Sequence, residues 1–268
     1  TSCNTFERIT IKGLNDVLLQ SKTFNSCVNM ENITIIGENI ITNENKIFNL
    51  CKGDQNIKFI GENVTLANNC FESCANLQSI SFESALISIG SYAFSSCSGL
   101  QSFLVNTKNI KIGSNAFISC SNLQTISITG GFISIKEFSF YQLKNIKNVT
   151  IIGTNVSISN NAFKQSTGMK LISIDGTYIE IEDNAFQSCS SLDNLIFISK
   201  LITIGSHSFS SCSNLQNLII DSKSIIIGVE SFTLCEKLKN INFQGDEISI
   251  KKSAFSSCAN IYNLIIKC

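Results

Sequence analysis

The sequence predicts a mainly β repeat solenoid of about twelve stacked 23-residue turns. Three observations carry this. A phenylalanine recurs at constant spacing, short apolar alternations recur in phase with it, and the composition suits strands. Phe71, Phe94, Phe117, Phe140, Phe163, Phe186, Phe209, Phe232 and Phe255 each follow the last by 23 residues. Phe48 stands 23 before Phe71, and Phe24 stands 24 before Phe48. A fixed period of this length marks stacked supersecondary units, none of which can bury its apolar face alone. The chain is rich in isoleucine and has no proline among its 268 residues, and β-branched side chains fit a pleated surface.

Each element of a turn follows from its place after the phenylalanine, taken as position zero. Cys74 comes at +3, Leu77 at +6, Ile80 at +9, Phe82 at +11, Ile87 at +16 and Ile89 at +18. The next turn repeats this with Phe94, Cys97, Leu100, Phe103, Val105, Ile110 and Ile112. The polar stretch after the phenylalanine, such as Ser95–Gly99, is too short for a long helix, so a single helical or 3₁₀ turn is expected. Leu77-x-x-Ile80-x-Phe82 ends in the period-2 pattern of a half-buried strand. Ile87-x-Ile89 is a second alternation, often closed by a glycine suited to a turn (Gly90, Gly113, Gly205, Gly228). Strands spaced ~4.8 Å apart would make a body roughly 55 Å long.

Residues 1–268 are expected to form one domain, a fragment cut within a repeat at each end. Cys3, Phe6, Ile9 and Ile11 fit the offsets of an opening partial turn, and Cys268 falls thirteen residues into the last one. Lys plus Arg and Asp plus Glu are 20 each. That balance argues against nucleic acid or an anionic membrane as the main partner, since both need clustered positive charge. No run approaches the ~18 apolar residues of a membrane span, so direct membrane insertion is not expected.

The twelve cysteines raise the question of sulfur chemistry. Ten of them (Cys3, Cys27, Cys51, Cys74, Cys97, Cys120, Cys189, Cys212, Cys235, Cys258) occupy the +3 slot. Leu143 and Ser166 fill that slot in two other turns, so it is expected to ask for a small or apolar residue. A ladder gives parallel Cβ vectors, which disfavours disulfides, and a line of ligands, which disfavours zinc. Cys70 stands where other turns have Ala93, Ala116 or Ala162, and reads as one more small core residue. Cys268 reads as a free thiol. His207, the single histidine, reads as an exposed loop residue because no nucleophile or second histidine accompanies it. No phosphate-binding loop or paired metal-ligand motif occurs. Glu180, Glu182 and Asp183 read as a solvated face. Catalysis and cofactors are not expected, and a carbohydrate-cleaving β-helix would need a carboxylate cluster on one strand face that is not visible.

The segments IGSYAFSSCSGLQSF, IGSNAFISCSNLQTI and IGSHSFSSCSNLQNL resemble the BspA-like subfamily of leucine-rich repeats, whose unit reads roughly I-G-x-x-A-F-x-x-C-x-x-L-x-x-I. The chain departs from it in lacking the proline that commonly follows the strand. The resemblance implies a right-handed leucine-rich-repeat superhelix with the first strands in a parallel sheet on the concave side. It also implies a cell-surface or secreted protein that adheres to host cells or extracellular matrix. The partner would be a host or matrix protein, or a neighbouring cell surface. An intracellular scaffold or regulatory repeat protein is the alternative, favoured by unpaired thiols.

On that architecture the outward positions of the first strand are +7, +8, +10 and +12. They nominate Gln101, Leu104, Gln124 and Ser127 on a mostly neutral polar face, and Ile196, Ile198, Ile219 and Ile265 as exposed aliphatics of the kind that mark interaction sites. Four glycosylation sequons occur, at Asn32, Asn63, Asn148 and Asn155. Two of them, Asn32 and Asn148, fall at +8 beside the first strand.

Overall fold

The computed structural model describes residues 7–20, 23–24, 31–44, 47–48 and 55–267. Cys3, Phe6, Cys27, Cys51 and Cys268 lie outside them. Among the described residues the strands pair in parallel, one turn upon the next, in register but for a shift between Gln55 and Asn56. In the central turns the first and second strand segments run together as one bent strand, as in Thr125–Ile135, Asn148–Ile158, Leu171–Ile181, Asn194–Ile204 and Asn217–Ile227. Gln55–Leu66 and Leu77–Ile89 are continuous in the same way, whereas Ser102–Asn106 and Asn109–Ile112 are separate. The coil has about eleven full turns, followed by the first strand of another, Asn263–Lys267.

The bend at +13 takes a small residue, because each turn passes close to the one before. A Cβ added to Gly176 would lie 2.7 Å from the Gly153 carbonyl oxygen.

The expected helical or 3₁₀ turn is not formed around Phe71 or the phenylalanines that follow it at the same spacing. Two residues per turn, at −2 and +2, adopt left-handed backbone: Tyr92 and Ser96 (φ 56° and 61°), Asn115 and Ser119 (57° and 62°), Asn184 and Ser188 (57° and 61°). Left-handed residues placed singly cannot continue a right-handed helix. The segment instead makes successive tight turns that direct N–H groups to the neighbouring turn. Phe71 N–H donates to Ala93 O at 2.7 Å, and Ser73 N–H to Ser95 O at 2.8 Å. These corner segments are therefore tied between turns, as the strands are.

The core lies inside the coil, and every inward column expected from the offsets is buried: Phe94, Cys97, Leu100, Phe103, Val105, Ile110 and Ile112 in one turn. The zero-position rings form a continuous stack, with centroid separations from 4.4 Å (Phe48–Phe71) to 5.2 Å (Phe232–Phe255).

The +3 slot asks for more than a small or apolar residue. Cys74, Cys97, Cys120, Cys189, Cys212, Cys235 and Cys258 each donate Sγ–H to the carbonyl oxygen of the phenylalanine one turn back, at 3.0–3.4 Å. Ser166 does the same to Phe140 O at 2.8 Å, and its oxygen accepts Leu143 N–H. The slot selects a compact hydrogen-bond donor, and Leu143 is the exception. Among the described residues, Cys70, Cys97, Cys120, Cys189, Cys212, Cys235 and Cys258 take part in no disulfide. Burial pushes the Cys120 and Cys212 thiols up to about 12. The half-buried Cys258 is held below the ordinary thiol value by its hydrogen bond with Cys235.

Candidate partner-binding surfaces

Alternation along each strand fixes which side chains leave the coil, and in-register stacking lines them up in columns. On the first strands, Leu104 pairs with Ser127, and the Gln124 N–H donates to Gln101 O at 2.8 Å, so these four residues stand together on adjacent strands. Leu104 is 55 % exposed. Ile196 pairs with Ile219, and Ile198 sits on the next outward column beside Asp175 and Asp221. Ile265 lies two strands from Ile219, with Asn242 between them. Ile198 and Ile219 are exposed, whereas Ile196 is half-buried.

The two clusters are three strand spacings apart, ~14 Å. Exposed Ile152, two strands before Ile198 in the +12 column, stands between them and extends the aliphatic set.

The +7 and +8 columns of this region are already occupied with one another. Asn217 Nδ2 donates to Asn194 Oδ1, and Asn240 Nδ2 to Asn217 Oδ1, both at 2.7 Å. Gln216 Nε2 donates to Asp193 Oδ1 at 2.8 Å, and Lys239 Nζ to Gln216 Oε1 at 3.2 Å. Such amide ladders hold the strands in register and leave few unmade bonds for a partner. The +10 and +12 columns are therefore the ones on this face that leave aliphatic side chains open to contact. There Asn242 Oδ1 is buried without a hydrogen-bond partner between Ile219 and Ile265.

The sequons fall in different settings. Asn148 is exposed and Asn32 half-buried. Asn63 Nδ2 already donates to Asn39 Oδ1 at 2.6 Å, and Asn155 Oδ1 is buried without a partner. His207 is half-exposed, with Nδ1 3.7 Å from Glu230 Oε2. Among the described residues, no three His, Cys, Asp or Glu side chains are grouped to hold a metal ion, and no helix is long and apolar enough to cross a membrane.

One surface was missed by sequence reasoning: the outward face of the second strands. At +15 stand Leu86, Phe132, Tyr178 and Leu201, with Phe132 and Tyr178 each more than half exposed. The signal was available, because aromatic and aliphatic residues recur at an offset one short of the buried +16 isoleucine.

This architecture defines a leucine-rich-repeat coil with exposed apolar side chains on two outward faces. The sequence matches the family described as BspA type leucine rich repeat region in six copies, over residues 1–66, 44–170 and 156–268. The chain belongs to that family, whose repeats typically serve as protein-interaction modules. No functionally curated protein matches it.

Solved structures similar to it include a leucine-rich repeat protein from Bacteroides ovatus ATCC 8483, at 19% identity and TM-score 0.37 over 94% of this chain and 85% of that one. A leucine rich cell surface protein from Faecalibacterium prausnitzii A2-165 matches at 16% and 0.38, over 97% and 88%. A leucine-rich repeat protein from Eubacterium ventriosum ATCC 27560 matches at 16% and 0.33, over 94% and 76%.

Proposed function

We propose that the chain is a surface-displayed or secreted protein-binding module that adheres to a host-cell or extracellular-matrix protein through the first-strand face. The observation that carries the reading is the +10 and +12 aliphatic set. Ile152, Ile198, Ile219 and Ile265 are exposed on a rigid parallel sheet whose neighbouring polar columns are satisfied internally. Exposed apolar side chains on a rigid scaffold supply the buried centre of an interface without an ordering cost. The near-neutral face fits a partner recognised by shape and apolar contact, rather than by a strong field. Membership of the BspA-type family supports surface display.

The alternative, an intracellular scaffold, is supported by the unpaired thiols. Antibody labelling of intact against permeabilised source cells tests the reading. Labelling of intact cells, followed by capture of a surface protein that Ile198→Asp abolishes, supports it. Signal only after permeabilisation sinks it in favour of the scaffold.

A further inference from the structure

The missed second-strand face holds a cleft of about 440 Å³ between Phe132 and Tyr178. The two rings belong to one column, two strands apart, with Asn155 on the strand between them. Two strand spacings separate their backbones by ~9.6 Å. A flat group midway lies ~5 Å from each ring, inside the ~6 Å reach of a cation–π contact. At the base, Asn155 Oδ1 is buried and has no hydrogen-bond partner. An amide oxygen in that position is costly unless a donor reaches it. Glu180 is exposed on the same side of the Tyr178 strand and is the only charged residue lining the cleft.

These features select a cation that is flat and rich in N–H donors. Two aromatic side chains, one unpaired amide oxygen and one carboxylate line the cleft, with no positive charge among the lining residues. We infer that this cleft receives an arginine side chain of a protein partner, its guanidinium between Phe132 and Tyr178 and its N–H groups donating to Asn155 Oδ1 and Glu180. A guanidinium stacks on aromatic rings and donates in plane at once, which a lysine ammonium does not.

The neighbouring cleft supplies an internal contrast. It lies on the other side of Phe132, has a similar volume of about 410 Å³, and is bordered by Leu86 and Asn109. There Asn109 Oδ1 accepts Phe132 N–H at 3.1 Å, while Asn63 Oδ1 in the same lining is buried without a partner, so the amide oxygens alone do not separate the two clefts. The charged lining residue is Lys111, of the wrong sign for a cation. The sign of the lining charge and the second aromatic ring therefore confine the arginine site to one of the two clefts. It occupies a different face from the first-strand surface and does not rest on that reading.

Fluorescence anisotropy with a labelled Gly-Ser-Arg-Ser-Gly peptide, its citrulline and lysine counterparts, and a panel of neutral oligosaccharides tests the proposal. The arginine peptide should bind about two- to fivefold tighter than the citrulline one, the range of an exposed ion pair. Glu180→Gln should weaken it by a similar factor, and Tyr178→Leu by about two- to fivefold. Lys111→Gln should leave it unchanged. All three substitutions are at the surface, and unaltered melting curves would separate lost binding from lost fold. Equal binding of arginine and citrulline peptides, no effect of Glu180→Gln, or saturable binding of an oligosaccharide in place of the arginine peptide would each overturn the assignment.

Discussion

The Cys97 thiol donates to the Phe71 carbonyl oxygen at 3.1 Å, and that same oxygen accepts the Cys74 N–H at 3.1 Å. One carbonyl thus uses both lone pairs, one within its own turn and one to the next. The recurring cysteine is explained by this second bond: the slot needs a donor small enough for a full core. Cys97→Ser should keep the bond and cost under about 1 kcal/mol, as Ser166 already does in its own turn. Cys97→Ala should cost about 1–2 kcal/mol, because it removes the donor and leaves a small void. Urea denaturation of the two variants measures the difference, and equal losses would show that packing alone decides the slot.

Thiol reactivity should follow position along the ladder. The thiolate is the reacting form, and burial keeps Cys120 and Cys212 protonated up to about 12. Half-buried Cys258, held below the ordinary value, should be alkylated first at neutral pH among the described cysteines. Peptide mapping after a timed iodoacetamide pulse reads the order. Early labelling of Cys120 would contradict it.

The same thiols make stability fall in alkali. Their folded values lie above the ordinary thiol value of 9.0, so between pH 9 and about 12 the folded chain holds more protons than the unfolded one. By linkage, the stabilisation is complete below about 9 and is lost as pH rises towards about 12. Denaturation midpoints at pH 7, 9 and 10.5 should hold level and then drop. Replacing both Cys120 and Cys212 by Ser should flatten the drop.

Phe163 stacks at 4.9 Å on Phe140 and at 4.9 Å on Phe186. Phe163→Ala should cost about 3–5 kcal/mol as a buried aromatic truncation. In a linear array it weakens two turn-to-turn interfaces and divides the coil into halves of unequal stability. Calorimetry should resolve two transitions in place of one.

On the first-strand face, Ile198→Asp and Ile219→Lys should leave melting within the small range of surface substitutions. Each should weaken capture of the surface partner by about tenfold or more, as for residues at the centre of an interface. Retained capture by both would move the partner to another face.

The period, the inward columns and the parallel coil were all legible in the sequence, because a core of seven apolar positions per turn admits one spacing. The turn around each phenylalanine was not. Its left-handed residues include Tyr92, Glu230 and Leu234, none of which announces such a backbone, and their conformation is held by bonds to the next turn. Cys97 was visible as a core residue but not as a donor, because its acceptor belongs to the preceding turn. Ile198 and Ile219 were readable as outward from alternation alone. The Phe132–Asn155–Tyr178 cleft needed three turns superposed, and Asn155 by itself reads only as a sequon.

The ring stack and the ladders above it join each turn only to its two neighbours, which gives the molecule a distinct mechanical character. A turn occupies ~4.8 Å of the folded axis but about 80 Å when its 23 residues are drawn out. A chain held at its ends would therefore yield turn by turn, each release lengthening it more than tenfold locally while the remaining turns stay wound. A pulling experiment should record this as an evenly spaced sawtooth. A binder built in this way lets out slack under load, so that a bond made by a few intact turns outlasts the pull on the others.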